Sequence, residues 1–238
     1  MKQVEPISRG RFTLGSDLVY QQDLAEELEN YLKTKHPDLA RDFDDIFPRP
    51  ANLKTTLGER MAIRCCLPIT MHRYLQSAGL LKDVPLMEYI DKMWASFSLT
   101  GSKNWSRPVL THLTRMEYGV PIISCGIRWL NEPFNDESRR NMIESGYCDT
   151  NEQVDQYLEL LHGRTIERII KSTPIVLTIK SPKGTMAAHS VIAWDIEDHN
   201  LVYSNADERD GGRVQLTKAP LEILASSETK IGAITLLI

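Results

Sequence analysis

The chain has 238 residues, of which 42% are hydrophobic and 25% charged, with a formal net charge of −4 at pH 7. That length suits one core with a helical appendage, and the composition is that of a globular protein, which excludes a fibre or a disordered chain. The mild acidity offers no attraction for phosphate backbones or anionic lipid, so a nucleic-acid partner is not expected. No apolar run approaches the roughly 18 residues of a spanning helix, and no apolar stretch backs the basic residues of the opening MKQVEPISRGRF. A cytoplasmic protein without a membrane partner is the expectation; the oligomeric state stays open.

In chain order, SDLVYQQDLAEELENYLKTK from Ser16 puts Leu18, Leu24, Leu28, Tyr31 and Leu32 near one stripe, which predicts an amphipathic helix. The acidic pairs Glu26-Glu27 and, in the following PDLARDFDDIF, Asp44-Asp45 read as solvated helix faces rather than acid/base carboxylates. Pro48 and Pro50 break regular structure. Residues 1–50 are thus a helical segment expected to pack on a domain formed by 51–238. The next helix is predicted to start at Pro68 and stop at Gly79, with Leu67 as its cap and Cys66 just outside its mouth. Further helices are expected over roughly 85–98, 108–118, 137–145 and 151–171, the last opened by Thr150 and Gln153 at capping-box spacing. PIISCGIRWL at 121–130 is a candidate strand, either an edge or a helix-packing one. After Pro174 the texture turns to β, with strands at 175–179 and 186–196 and then in LVYSNA, GRVQL and KIGAITLLI. The first two carry apolar residues at both parities, so both faces of their sheet should be covered. The fold class is α+β, a helical N-terminal half packed on a C-terminal antiparallel sheet.

Four cysteines, at positions 65, 66, 125 and 148, are too few for a disulfide framework and lack metal-ligand spacing. Free thiols, with no metal or other cofactor, are expected. Cys66 stands apart because a helix mouth offers free N–H groups and the positive end of a dipole, both of which favour a thiolate. Cys65 should point into apolar packing, Cys125 should be core, and Cys148 should be an exposed loop thiol. A cysteine nucleophile needs an imidazole to take its proton and a third group to orient the ring. His189 lies on a predicted central strand and Asn205 ends the next, joined by a tight connection at Asp198-His199-Asn200. A hairpin could bring the two side chains together. The remaining histidines, His36, His72, His112, His162 and His199, read as surface or structural.

These residues resemble those of the bacteriocin-leader-processing (double-glycine) peptidases of the papain-like cysteine-peptidase superfamily. Cys66-Leu67-Pro68 followed by ITMHRYLQSAGL is similar to the Cys-Gly-Pro motif that opens a helix there, and His189-Ser190-Val191-Ile192-Ala193-Trp194 to the strand begun by the catalytic histidine. Asn205 in VYSNAD matches the third member, and Gly211-Gly212-Arg213-Val214 resembles the strand beyond. The resemblance spans about residues 58–225 and is strongest over 174–216. It implies a papain-like fold and a peptidase or amidase acting on a peptide or protein substrate. In that reading Cys66 attacks the carbonyl, His189 is general base and then acid, and Asn205 orients the ring. Arg60 stands at the offset of the family's oxyanion glutamine and is the oxyanion candidate; Asp207 is the alternative acid. Two other readings stay open: a catalytically silent module of this fold that binds a peptide or protein partner, suggested by Leu67 and Arg60, and a transglutaminase-like acyl transferase.

Overall fold

A computed structural model describes residues 8–13, 24–47, 56–97, 105–130, 133–179, 189–204, 216–220 and 233–238. Apolar residues at helical spacing form α1 (Ala25–Lys35), α2 (Pro37–Ile46), α3 (Leu57–Arg64), α4 (Cys66–Ser77), α5 (Leu86–Met93) and α6 (Arg107–Tyr118). Strand β1 (Ile122–Gly126) then precedes α7 (Asp136–Glu144), α8 (Asn151–Leu160) and α9 (Ile166–Ser172). The β-rich end of the chain supplies β2 (Ile175–Ile179), β3 (His189–Glu197), β4 (Asn200–Ser204), β5 (Leu216–Pro220) and β6 (Ala233–Leu237).

Local chemistry sets the boundaries. Thr56 and Glu59 close a reciprocal capping box at the start of α3. Helix α4 ends in a Schellman motif: Gly79, at φ 79°, donates to Gln76 O and Leu80 donates to Leu75 O. The helix predicted over 151–171 is two helices, because Gly163 turns left-handed (φ 75°) and Thr165 caps a new start by accepting from Arg168 N–H. Asp198 and His199 both take positive φ (48° and 63°), the two-residue turn whose twist matches a hairpin, and so β3 passes directly into β4.

The sheet has the order β1-β6-β2-β3-β4-β5 and every pairing is antiparallel. The 121–130 segment thus supplies an edge strand. Of the predicted GRVQL strand only Leu216 falls among the described residues, where it opens β5. Alternation along the strands divides the core in two. Ile122, Val176, Ile192, Trp194 and Leu237 face the apolar sides of α1 to α6. Ile123, Leu177, Val191, Ala193 and Ile234 face Met142 of α7, Val154 and Tyr157 of α8, and Ile169 and Ile170 of α9. Helices therefore cover both faces, as the apolar residues at both parities require.

The N-terminal helices belong to the first core through Leu28, Leu32, Leu39 and Phe43, while Leu18 lies outside the described residues. A bulge between Ala193 and Asp195 frees polar groups on β3, and Arg9 meets them by donating to Trp194 O at 2.6 Å and pairing with the Asp195 carboxylate. Glu26, Glu27, Asp44 and Asp45 are exposed, as expected of solvated faces. Among the described residues no helix is long and apolar enough to cross a membrane.

Candidate active site

Helix α3 hands over to α4 through one residue, Cys65 (φ −85°, ψ 12°). Its N–H donates to Met61 O and Ala62 O, and its carbonyl accepts from Ile69 N–H, so no extended stretch separates the helices. Consequently α4 begins two residues before the predicted start: Cys65 is the cap, Cys66 the first helical residue, and Pro68 sits inside the first turn, where its missing N–H is not needed. Cys66 still stands at the positive end of the helix. Leu67 turns into the first core. Cys65 is fully buried, and burial and then the neighbouring Cys66 push its thiol far up, against a hydrogen bond with Trp105.

Hydrogen bonds between described residues fasten α4 to the sheet. Thr70 Oγ1 donates to Ser190 O, Tyr74 Oη donates to Pro174 O, and Leu237 N–H donates to Tyr74 Oη, each at 3.0 Å. Thr70 is level with Ser190, and Phe12 lies 5.3 Å from the Tyr74 ring and 6.4 Å from Trp194, so α4 and β3 run in the same sense. Cys66 precedes Thr70 by one turn, about 6 Å along the axis. It therefore lies toward the end of the sheet where β3 begins, and β3 begins with His189.

His189 is 2% exposed and pairs across the sheet with Ile179. Alternation places its Cβ with Ile179, Val191 and Ala193, on the face covered by α7 to α9. Ser190, with Ile192 and Trp194, faces α4 and α6. The structure thus brings Cys66 and His189 to the same end of the sheet but on opposite faces of β3. Asn205 and Asp207 lie outside the described residues. Strand β4 ends one residue earlier at Ser204, whose hydroxyl accepts from Trp194 Nε1 at 3.0 Å. Arg60 pairs with Asp44 of α2, and its guanidinium lies 5.0 Å from the centre of the Phe43 ring. Those contacts tie its charge to the α2 side of α3.

Cys125 is core, as expected. Cys148 is not the exposed thiol that its loop position suggested: it is 1% exposed, and burial pushes its thiol up to about 12. The reason is the left-handed Gly146 (φ 73°), after which Tyr147 and Cys148 fold back and both donate to Met142 O. His36 stacks on Trp94, the buried His72 ring bonds Val84 O, and His112 Nδ1 lies 2.8 Å from Asp149, all structural placements.

Sequence reasoning missed Arg107, the first residue of α6. It is 7% exposed, yet its guanidinium reaches four acceptors on the sheet. Nη1 donates to Val176 O (3.3 Å) and Thr235 Oγ1 (2.8 Å), and Nη2 to Thr178 Oγ1 (2.8 Å) and Ser190 Oγ (3.2 Å). The registers Ser124↔Thr235 and Thr178↔Ser190 give two pairs of hydroxyls on the α4 and α6 face, offset by two residues because Thr235 pairs with Val176, and Arg107 spans the step between them. Desolvation lowers the Arg107 pKa to about 10, opposed by the nearby acidic groups of Tyr147, Cys66 and Cys125. Taking such a cation out of water costs several kcal/mol. Its charge-assisted hydrogen bonds, at about 1.5–3 kcal/mol each, offset much of that. The available signal was a hydroxyl at one parity of four apolar strands: Ser124 in IISCG, Thr178 in IVLTI, Ser190 in HSVIAW and Thr235 in AITLL.

Among the described residues no group of three or more His, Cys, Asp or Glu side chains is placed to hold a metal ion. No family model matches the chain, and no curated protein matches it.

Proposed function

We propose that the protein is a papain-like cysteine peptidase or amidase acting on a peptide or protein substrate in the cytoplasm. The observation that carries this reading is the placement of Cys66 in the first turn of α4, which Thr70 and Tyr74 dock on the sheet at the end where β3 starts with His189. In the proposed reaction the Cys66 thiolate attacks the carbonyl carbon and forms a C–S bond. The proton taken up by His189 passes to the departing amine. Water, deprotonated by the same ring, then releases the acyl group and restores the thiol. Two further observations support Cys66 as the nucleophile. All four cysteines are buried, but Cys65, Cys125 and Cys148 are each at most 1% exposed against 8% for Cys66, and burial raises the thiols of those three. The helix-borne cysteine against an antiparallel sheet is also the arrangement that the resemblance implies.

A second reading, a silent module that binds a peptide without cleaving it, draws on the pleat. Ser190 rather than His189 faces α4, and Arg60 is engaged with Asp44. Labelling with a peptide that carries an electrophilic carbonyl separates the two. The enzyme reading expects modification at Cys66 alone, with His189→Ala slowing it by roughly 10²-fold or more. A folded protein whose Cys66 stays unmodified, or is labelled equally in His189→Ala, would leave peptide binding as the function.

A further inference from the structure

We infer that Arg107 is a positioning residue of this site, its buried guanidinium holding positive charge toward the Cys66 sulfur so that the thiolate forms there. The inference rests on the reading of Cys66 as nucleophile. Four of the five guanidinium N–H groups are already committed to Val176 O, Thr235, Thr178 and Ser190. No free fork remains to grip a substrate carboxylate or phosphate, which argues against an anion-binding role. All four acceptors are neutral, so these bonds fix the cation without cancelling its charge. Ser190 links it to the nucleophile helix: Thr70 of α4 bonds the Ser190 carbonyl and Arg107 bonds the Ser190 hydroxyl, with Cys66 one helical turn from Thr70.

The ionisable neighbours decide which group answers the charge. Around Arg107 these are Tyr147, Cys66 and Cys125, beside Cys66 stands Cys65, and His189 heads β3. Burial raises the Cys65 and Cys125 thiols, which keeps both protonated. Cys66, in the first turn of a helix, is the thiol left to respond.

The test is the pH profile of iodoacetamide alkylation at Cys66, read by peptide mass spectrometry on the full chain for wild type, Arg107→Gln and Arg107→Lys. Removing the charge is expected to slow alkylation at pH 6.5 by about tenfold and to move the profile to higher pH, and Lys is expected to recover most of the rate. A merely structural Arg107 would lower the melting temperature in both variants and leave the profile where it was, which would overturn the inference. Should Arg107→Gln fail to fold, Ser190→Ala, which removes one of the four anchors of the guanidinium, takes its place: slower alkylation of Cys66 at pH 6.5 is expected, and an unchanged rate counts against Arg107. The two ideas fail separately. An electrophilic peptide that labels Cys66 while Arg107→Gln keeps the wild-type profile removes only the role of Arg107. Arg107-dependent alkylation without any peptide labelling removes only the peptidase reading.

Discussion

Tyr74→Phe tests what holds α4, the helix that carries Cys66, on the sheet. The Tyr74 ring is fully buried, and its hydroxyl alone bridges Pro174 O, just before β2, and Leu237 N–H in β6. Phenylalanine keeps the ring and its contact with Phe12, so the change removes two hydrogen bonds with little loss of packing. It also leaves a buried carbonyl and a buried N–H without that partner, at about 1–3 kcal/mol each. The expected loss is therefore about 2–6 kcal/mol, a large fraction of the 5–15 kcal/mol typical of a folded domain. Burial raises the Tyr74 phenol far above its ordinary range, so the hydroxyl stays protonated and the loss should be the same at pH 6 and pH 9. Urea unfolding followed by circular dichroism measures it as a lower midpoint at unchanged slope. A loss under about 0.5 kcal/mol would show that these bonds do not fix α4, and the placement of Cys66 against β3 would lose its support.

Two other substitutions probe the scaffold. A Cβ on Gly58 would fall 1.8 Å from Ala25 O and 2.6 Å from Ala25 C, both backbone atoms, so Gly58→Ala must push α1 off α3. The expected cost is at least about 1–3 kcal/mol, seen as a melting temperature several degrees lower; an unchanged melting temperature would contradict the packing. For Asp149, burial pushes the carboxyl up, but hydrogen bonds from Arg115 and then His112 outweigh it and hold the group below the usual aspartate range. Its contribution is present above the unfolded aspartate value and fades as pH falls through the lowered one. Asp149→Asn should therefore cost about 1–3 kcal/mol at pH 7 and progressively less in acid, and a pH-independent difference in unfolding free energy would refute the pairing.

Much of the fold was legible because its signals are local. The Leu28 and Leu32 stripe, the Thr150 and Gln153 cap, the Gly79 stop and the Asp198-His199 turn each act within a few residues, and each has the predicted effect. The failures are instructive. Pro68 suits the first position of a helix, but the capping box of Thr56-Leu57-Gly58-Glu59 starts α3 upstream, and α3 carries helical geometry almost to Cys66. Cys148 looked exposed because a loop of Gly, Tyr and Asp suggests solvent, whereas a backbone turn at Gly146 directs it inward. Arg107 was invisible for a stronger reason. Its four acceptors belong to three strands that are separate in sequence, and only the sheet order brings them under one side chain.

The same long-range register bears on how the candidate site is assembled. Slipping β3 by one residue against β2 would exchange its two faces, carrying Ser190 away from Arg107 and Ile192 and Trp194 out of the first core. Such a slip would sacrifice a charge-assisted hydrogen bond and bury a histidine beside a guanidinium. The Trp194–Ser204 hydrogen bond resists the corresponding slip on the other side, between β3 and β4. The faces of Ser190 and His189 are therefore tightly specified, Ser190 toward α4 and α6 and His189 toward α7 to α9. Cys66 is held more directly, because Thr70 and Arg107 converge on Ser190 and Tyr74 ties the next turn of α4 to β6. The candidate nucleophile Cys66 and the candidate base His189 are thus supported through adjacent residues of β3, since Ser190, which anchors Thr70 and Arg107, directly follows His189, and only the double variant Arg107→Gln with His189→Ala separates their effects on the thiol.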